Sequence, residues 1–181
     1  MHYIQMMDNT ILNFIQNNMH NKVLDKIMIA ITSMGNMGLI WIIISIALII
    51  NKKYRKVGAY SLIALILVTV LGEGILKHLF ERPRPCVNIP QSQLLIKKPT
   101  SYSFPSGHSG SSFACAVVLS YYFKKYAVLI YGFATTIAFS RLYVYVHYPS
   151  DVLVGTILGL LSGFLVVFMW KKSETKKNTI I

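Results

Sequence analysis

Three cations, two imidazoles and a carboxylate recur in this chain at spacings that suit phosphoryl chemistry. Lys77, Arg84 and Arg141 can converge on one phosphate group, where arginine's planar fork matches phosphate oxygens and three positive charges stabilise an equatorial array of negative ones. His108 and His147 can divide a transfer between them, one attacking phosphorus and the other protonating the leaving oxygen. Asp151 follows His147 by four residues and Pro149 suits the first helical position, so a carboxylate in that first turn can reach back to the Nδ1–H of His147. Such a bond would set the tautomer, leave Nε2 to attack and stabilise the imidazolium.

The segment Pro105-Ser106-Gly107-His108 adds an anion site. Ser106 can cap the helix that follows, and the amide of Gly107 then lies in its first turn, where helix N-termini bind anions. Glycine at 107 also lets backbone approach a ligand. Glu73 precedes Lys77 by four residues and can hold it by an i, i+4 pair, a support rather than a reacting group. On a helix continued past Lys77, the residues His78, Glu81 and Arg82 point elsewhere, towards headgroups. Each piece alone has an ordinary reading: a turn, a dipole carboxylate at 151, an aromatic-belt histidine beside Tyr143, Tyr145 and Tyr148. Their joint presence favours chemistry. The same face offers no carboxylate cluster for magnesium and no zinc-ligand spacing, so no metal is expected, and Cys86 and Cys115 read as structural thiols.

The elements that must position these residues are membrane helices. In 181 residues, 54% are apolar and only 13% charged, with a mean hydropathy of +0.53. That excludes a disordered chain and, with two cysteines, a disulfide scaffold. A bilayer-spanning helix needs about 20 apolar residues. Ile27–Ile50 is the clearest, and Val57–Leu76, Gly107–Phe123, Tyr126–Ser140 and Val152–Trp170 follow, with no cleaved signal peptide ahead of them. The expectation is an all-α polytopic membrane bundle of about five spans, residues 27–181, preceded by residues 1–26.

The net charge of +12 would suggest nucleic acid in a soluble protein, but here the basic residues cluster between apolar runs, so no nucleic-acid partner is expected. Lys52, Lys53, Arg55 and Lys56 follow span one, Lys124 and Lys125 span three, and Lys171, Lys172, Lys176 and Lys177 span five. Alternate ends therefore define a cytoplasmic face that holds the C-terminus. Helix parity then brings residues 73–84, 105–108 and 140–151 to the opposite, outer face. The cations there violate the charge rule, and a bound anion accounts for them.

In residues 1–26, Ile4, Met7, Ile11, Phe14 and Ile15 recur at helical spacing between polar residues, as in a helix lying in the interface or packing against the bundle. Gly155, Gly159 and Gly163 stripe one face of span five and are expected to pack within the chain. Leu94–Ile96, followed by Lys97 and Lys98, reads as a lipid-touching or solvated loop.

Lys77-x6-Arg84-Pro85, Pro105-Ser106-Gly107-His108 and Ser140-Arg141-x5-His147-x3-Asp151 resemble, at every signature position and in order, the three-part signature of the type-2 phosphatidic acid phosphatase superfamily. The resemblance implies cofactor-free, metal-independent hydrolysis through a phosphohistidine. His147 would be the nucleophile and Asp151 its orienting partner. His108 would serve as acid and then base, and Lys77, Arg84, Arg141, Ser106 and Gly107 as the phosphate cradle. Membrane members usually have six spans, so residues 1–26 either replace the first or form part of a substrate groove.

The expected protein is a multi-pass plasma-membrane phosphatase that meets membrane lipids and acts on a lipid phosphate at the outer leaflet. Undecaprenyl diphosphate is the leading substrate, and phosphatidylglycerophosphate or phosphatidate comes next. A phosphotransferase would use the same intermediate. A lipid-phosphate transporter would explain the cations but has no need of Asp151 behind His147. Five apolar spans argue against a haloperoxidase, which shares the signature.

Overall fold

The computed structural model describes the backbone of residues 2–179 and the side chains of residues 3–175, so the side chains of Lys176 and Lys177 lie outside the described residues. The described chain is all helical: α1 (His2–Asn18), α2 (Lys22–Met34), α3 (Leu39–Ile50), α4 (Arg55–Thr69), α5 (Lys77–Phe80), α6 (Gly107–Tyr122), α7 (Ala127–Tyr143) and α8 (Pro149–Thr179). A π-helical stretch, Val70–Leu76, joins α4 and α5 into one rod, Arg55–Phe80. Sequence periodicity does not reveal this widened turn, and it contains Glu73.

By length and apolarity two helices can cross a membrane, Arg55–Phe80 and Pro149–Thr175, and α2 with α3 form a third candidate if taken together. That pair is not the straight span expected over 27–50, because it bends by 50° at residues 35–38. Met37 (φ 51°) and Gly38 (φ 70°) are left-handed there, which ends one helix and starts another. The breaker was visible as Thr-Ser-Met-Gly-Asn-Met-Gly inside an apolar run. Helices α6 and α7, with 16 and 17 residues, are shorter than the usual span.

Helix α6 is the hub and packs on α4, α7 and α8. Its small and hydroxylic residues, from Ser109 to Ser120, are mostly buried, so protein rather than lipid surrounds them. This explains why its sequence is only modestly apolar. The glycine stripe of α8 faces α6: a Cβ at Gly155 would come 2.5 Å from the Ser106 carbonyl oxygen, and one at Gly159 2.4 Å from that of Gly110. Backbone contact this close is available only to glycine and fixes the register of the two helices.

Helix α1 lies across the ends of α7 and α8. It buries Asp8, Leu12 and Ile15 and exposes Ile4, Met7, Ile11 and Phe14, so most of the expected apolar stripe faces away from the protein. Leu94, Leu95 and Ile96, expected as a lipid-touching or solvated loop, also have a packed side. They are half-buried against a second core of Cys86, Tyr143, Val144 and Val146.

Candidate active site

The α6–α8 contact assembles two of the three motifs. Ser106 caps α6, its hydroxyl accepting from the Ser109 N–H at 3.4 Å and from the Ser109 hydroxyl at 2.9 Å. The Ser106 N–H donates to the Asp151 carbonyl at 3.0 Å, which ties the start of α6 to the first turn of α8. Gly107 opens α6 against the Glu73 carboxylate, since a Cβ there would come 2.2 Å from Glu73 Oε1.

His147 is in the turn between α7 and α8 and is 2% exposed. Its Nε2 faces Arg84 Nη1 at 3.0 Å. A guanidinium only donates, so Nε2 carries the lone pair and the ring proton is on Nδ1. That Nδ1 has no hydrogen-bond partner and is 3.6 Å from Asp151 Oδ2, so the expected bond is an open contact here. The tautomer is nonetheless the expected one, set from the Arg84 side. Burial first, then Arg84 and Arg141, hold the imidazole near pKa 3 against the pull of Asp151, so it is neutral at pH 7.

Arg84 is 6% exposed and held on every nitrogen. Nε donates to the Ser101 carbonyl at 2.7 Å, Nη1 to the Val146 carbonyl at 2.8 Å, and Nη2 to the Tyr102 carbonyl at 3.0 Å and the Ser101 hydroxyl at 3.1 Å. The same hydroxyl is 3.4 Å from Lys77 Nζ, and Glu73 accepts from that ammonium at 2.7 Å. Lys77 lies within electrostatic reach of Arg84 and Arg141, and Arg141 within reach of Arg84. The three cations therefore converge, each at most 6% exposed.

The broken helix supplies partners that the motifs do not contain. Thr32 accepts from Arg141 Nη1 at 2.5 Å through its hydroxyl, and its carbonyl faces His108 Nε2 at 3.2 Å. Asn36 Oδ1 is also 3.2 Å from His108 Nε2. The nitrogen facing the Thr32 carbonyl carries the proton, because a carbonyl only accepts. His108 lies within electrostatic reach of His147, Arg84 and Arg141. Arg141 Nε is buried without a partner among the described residues.

Arg82 is the main correction. It does not point towards headgroups, because α5 ends at Phe80, Glu81 turns left-handed (φ 43°) and Arg82 faces inward. The missed signal is Pro83, which disfavours helical backbone at the residue before it. Arg82 Nη1 donates to Asp151 Oδ1 at 2.6 Å and Nη2 to Asp8 Oδ2 at 2.7 Å. Asp8 also accepts from the N–H and hydroxyl of Ser150, at 2.9 and 2.5 Å. Asp151 Oδ2 accepts further from the Ser103 hydroxyl and from the Tyr148 N–H at 2.9 Å. Asp8, Arg82 and Ser103 therefore fix the carboxylate behind His147, and only the isolated charge of Asp8 in α1 hinted at its part.

Removing that clamp has a measurable cost. Asp8→Ala leaves Arg82 half-paired and two donors of Ser150 unsatisfied, a loss of about 1–3 kcal/mol. For a chain of this size that is a fall in Tm of roughly 2–12 °C, readable by thermal melting in detergent. An unchanged Tm would mean that α1 is not anchored through Asp8.

The PAP2 superfamily model matches residues 58–174, which contain all three motifs. The chain belongs to the PAP2 superfamily. An undecaprenyl-diphosphatase of Sulfolobus acidocaldarius is 36% identical over 140 residues, 76% of this chain and 67% of that protein. The undecaprenyl-diphosphatase BcrC of Bacillus subtilis is 34% identical over 148 residues, 81% and 75% of the two chains. The crystal structure of a transmembrane PAP2-type phosphatidylglycerolphosphate phosphatase from Bacillus subtilis superposes with a TM-score of 0.79 at 28% identity, covering 95% of this chain and 88% of that one. The PAP2 chain described here is thus an integral membrane lipid phosphatase.

Proposed function

We propose that this PAP2 enzyme hydrolyses a lipid diphosphate, undecaprenyl diphosphate foremost, to the monophosphate and inorganic phosphate through a phosphohistidine at His147. The observation that carries this reading is the neutral, buried His147 with its Nε2 lone pair aimed into a nest of three buried cations. Buried charges without full compensation are costly, so the nest favours an incoming polyanion.

In the first step the Nε2 lone pair forms an N–P bond to the terminal phosphorus while the bridging P–O bond breaks. The electron pair leaves on the lipid phosphate oxygen, which takes a proton from His108. With Nε2–H of His108 held by the Thr32 carbonyl, His108 enters this step as the imidazolium, protonated on binding the polyanionic substrate, and Nδ1 is the nitrogen that gives its proton here and regains one in the second step. In the second step His108 takes a proton from water, the water oxygen attacks phosphorus, and the N–P pair returns to His147 as phosphate leaves. Arg84 moves from Nε2 to the phosphoryl oxygens, and Lys77, Arg141 and the amide at Gly107 bind the others. Asp151 steadies the imidazolium.

Five crossings in the plasma membrane, with the site outward and the C-terminus cytoplasmic, accord with the basic clusters at 52–56, 124–125 and 171–172. Helices α6 and α7 would then cross inside the bundle, and α1 would lie in the outer headgroup layer with its apolar face towards lipid. The undecaprenyl preference draws support from the relatives named for it.

The test is phosphate release from a panel of lipid mono- and diphosphates, each with and without EDTA. Release that is fastest with undecaprenyl diphosphate and indifferent to chelator is expected. Loss of release in EDTA would overturn the metal-free mechanism, and preference for another headgroup would overturn the substrate.

A further inference from the structure

The end of the bundle remote from His147 carries a polar cavity. Along α8, Asp151 and Trp170 are separated by 19 residues, about 28 Å at 1.5 Å per residue. Around Trp170 a cavity of about 490 Å³ opens between the α3–α4 turn, the end of α6 and α8. That volume is in the range of small-ligand pockets.

Lys52, Lys53, Lys56 and Lys124 line it, against one carboxylate, Glu174. Glu174 pairs with Lys56 at 2.7 Å. Lys52 and Lys124 have no ion-pair partner among the described residues, so the cavity retains excess positive charge. Its aromatic wall is rigid: Trp170 stacks on Tyr60 at 4.7 Å and meets Tyr121 edge-on at 5.5 Å. The Trp170 side chain is 4% exposed, yet its indole N–H has no acceptor among the described residues. Beside the cavity α8 exposes Phe164, Leu165, Phe168 and Met169 to the surroundings.

We infer that this cavity binds the phosphate of an anionic phospholipid headgroup, in the leaflet opposite the active site. Lysine ammoniums act as point charges on a phosphate. Aromatic residues sit at headgroup depth, and the exposed apolar face of α8 offers a path for the acyl chains. The site is separate from the lipid-phosphate chemistry at His147 and does not depend on it.

The test uses the full chain in detergent and native mass spectrometry, with phosphatidylglycerol, phosphatidylcholine and inorganic phosphate as probes. Wild type should retain phosphatidylglycerol in preference to phosphatidylcholine. Lys52→Gln with Lys124→Gln should weaken retention about tenfold or more, given roughly 1 kcal/mol per lysine at a membrane surface. Lys125→Gln with Lys172→Gln, equal in charge but outside the cavity, should leave it unchanged. Displacement of the lipid by millimolar phosphate would support a site that also takes the free anion, and resistance to it a site that needs the whole lipid. A lipid-free melting transition like that of wild type checks that the first pair is folded, and its phosphatidylglycerol-induced stabilisation should then be lost. Equal retention of the two lipids, or equal weakening by the two double variants, would overturn the proposal.

Discussion

His147→Asn should leave a folded membrane protein that releases lipid phosphate roughly 10⁴-fold more slowly or worse. The loss is this large because the proposed nucleophile vanishes entirely, whereas the cation nest and the water remain to give only residual catalysis. Phosphate release and a melting curve on one preparation separate chemistry from folding. Turnover within tenfold of wild type, in a folded variant, would remove His147 from the mechanism. The same substitution has a second signature. The imidazole is held near 3 in the folded chain and returns to about 6.5 when unfolded. Between those values the unfolded chain binds a proton that the folded chain refuses, so stability rises with pH across the window and is lost as pH falls through it. The contribution reaches about 1.4 kcal/mol per pH unit. His147→Asn removes the group, so its Tm should fall less steeply than that of wild type from pH 6.5 to 4.

Arg84→Lys is the second large effect, and it separates geometry from charge. A lysine keeps the positive charge but offers no planar fork, and it cannot serve the Ser101, Tyr102 and Val146 carbonyls while facing His147. Phosphate release should fall about 100-fold or more, the scale of losing an oriented donor at a developing oxyanion. Stability should fall by about 3–5 kcal/mol, as for a broken buried charge network. Activity within threefold of wild type would mean that point charge alone suffices at this position. The cradle would then not depend on the fork that orders residues 101–102.

Helix α6 shows how burial within a bundle relaxes the need for apolar residues. Its serines and glycines lower its apolarity, but α4, α7 and α8 surround it and lipid does not. With 16 and 17 residues, α6 and α7 also fall short of a usual span, so only the rod 55–80, α8 and the bent α2–α3 pair are long and apolar enough to cross.

The sequence by itself determined which residues make up the motifs and their gathering at one end of the bundle. Helical period and span parity are local properties of consecutive residues, so Ser106 could be read as a cap, Gly155 and Gly159 as a packing stripe, and Lys77, Arg84, His108, Arg141, His147 and Asp151 as neighbours. Only the tertiary structure decided the supports. Thr32 and Asn36 reach His108 and Arg141 because α2 breaks against α6 and α7, and Asp8 reaches Ser150 across 142 residues of chain. Arg82 reaches Asp151 only after a left-handed turn at Glu81 redirects the chain. Such pairings depend on how separate helices dock, and docking is set by shape and long-range contact, which no local period encodes.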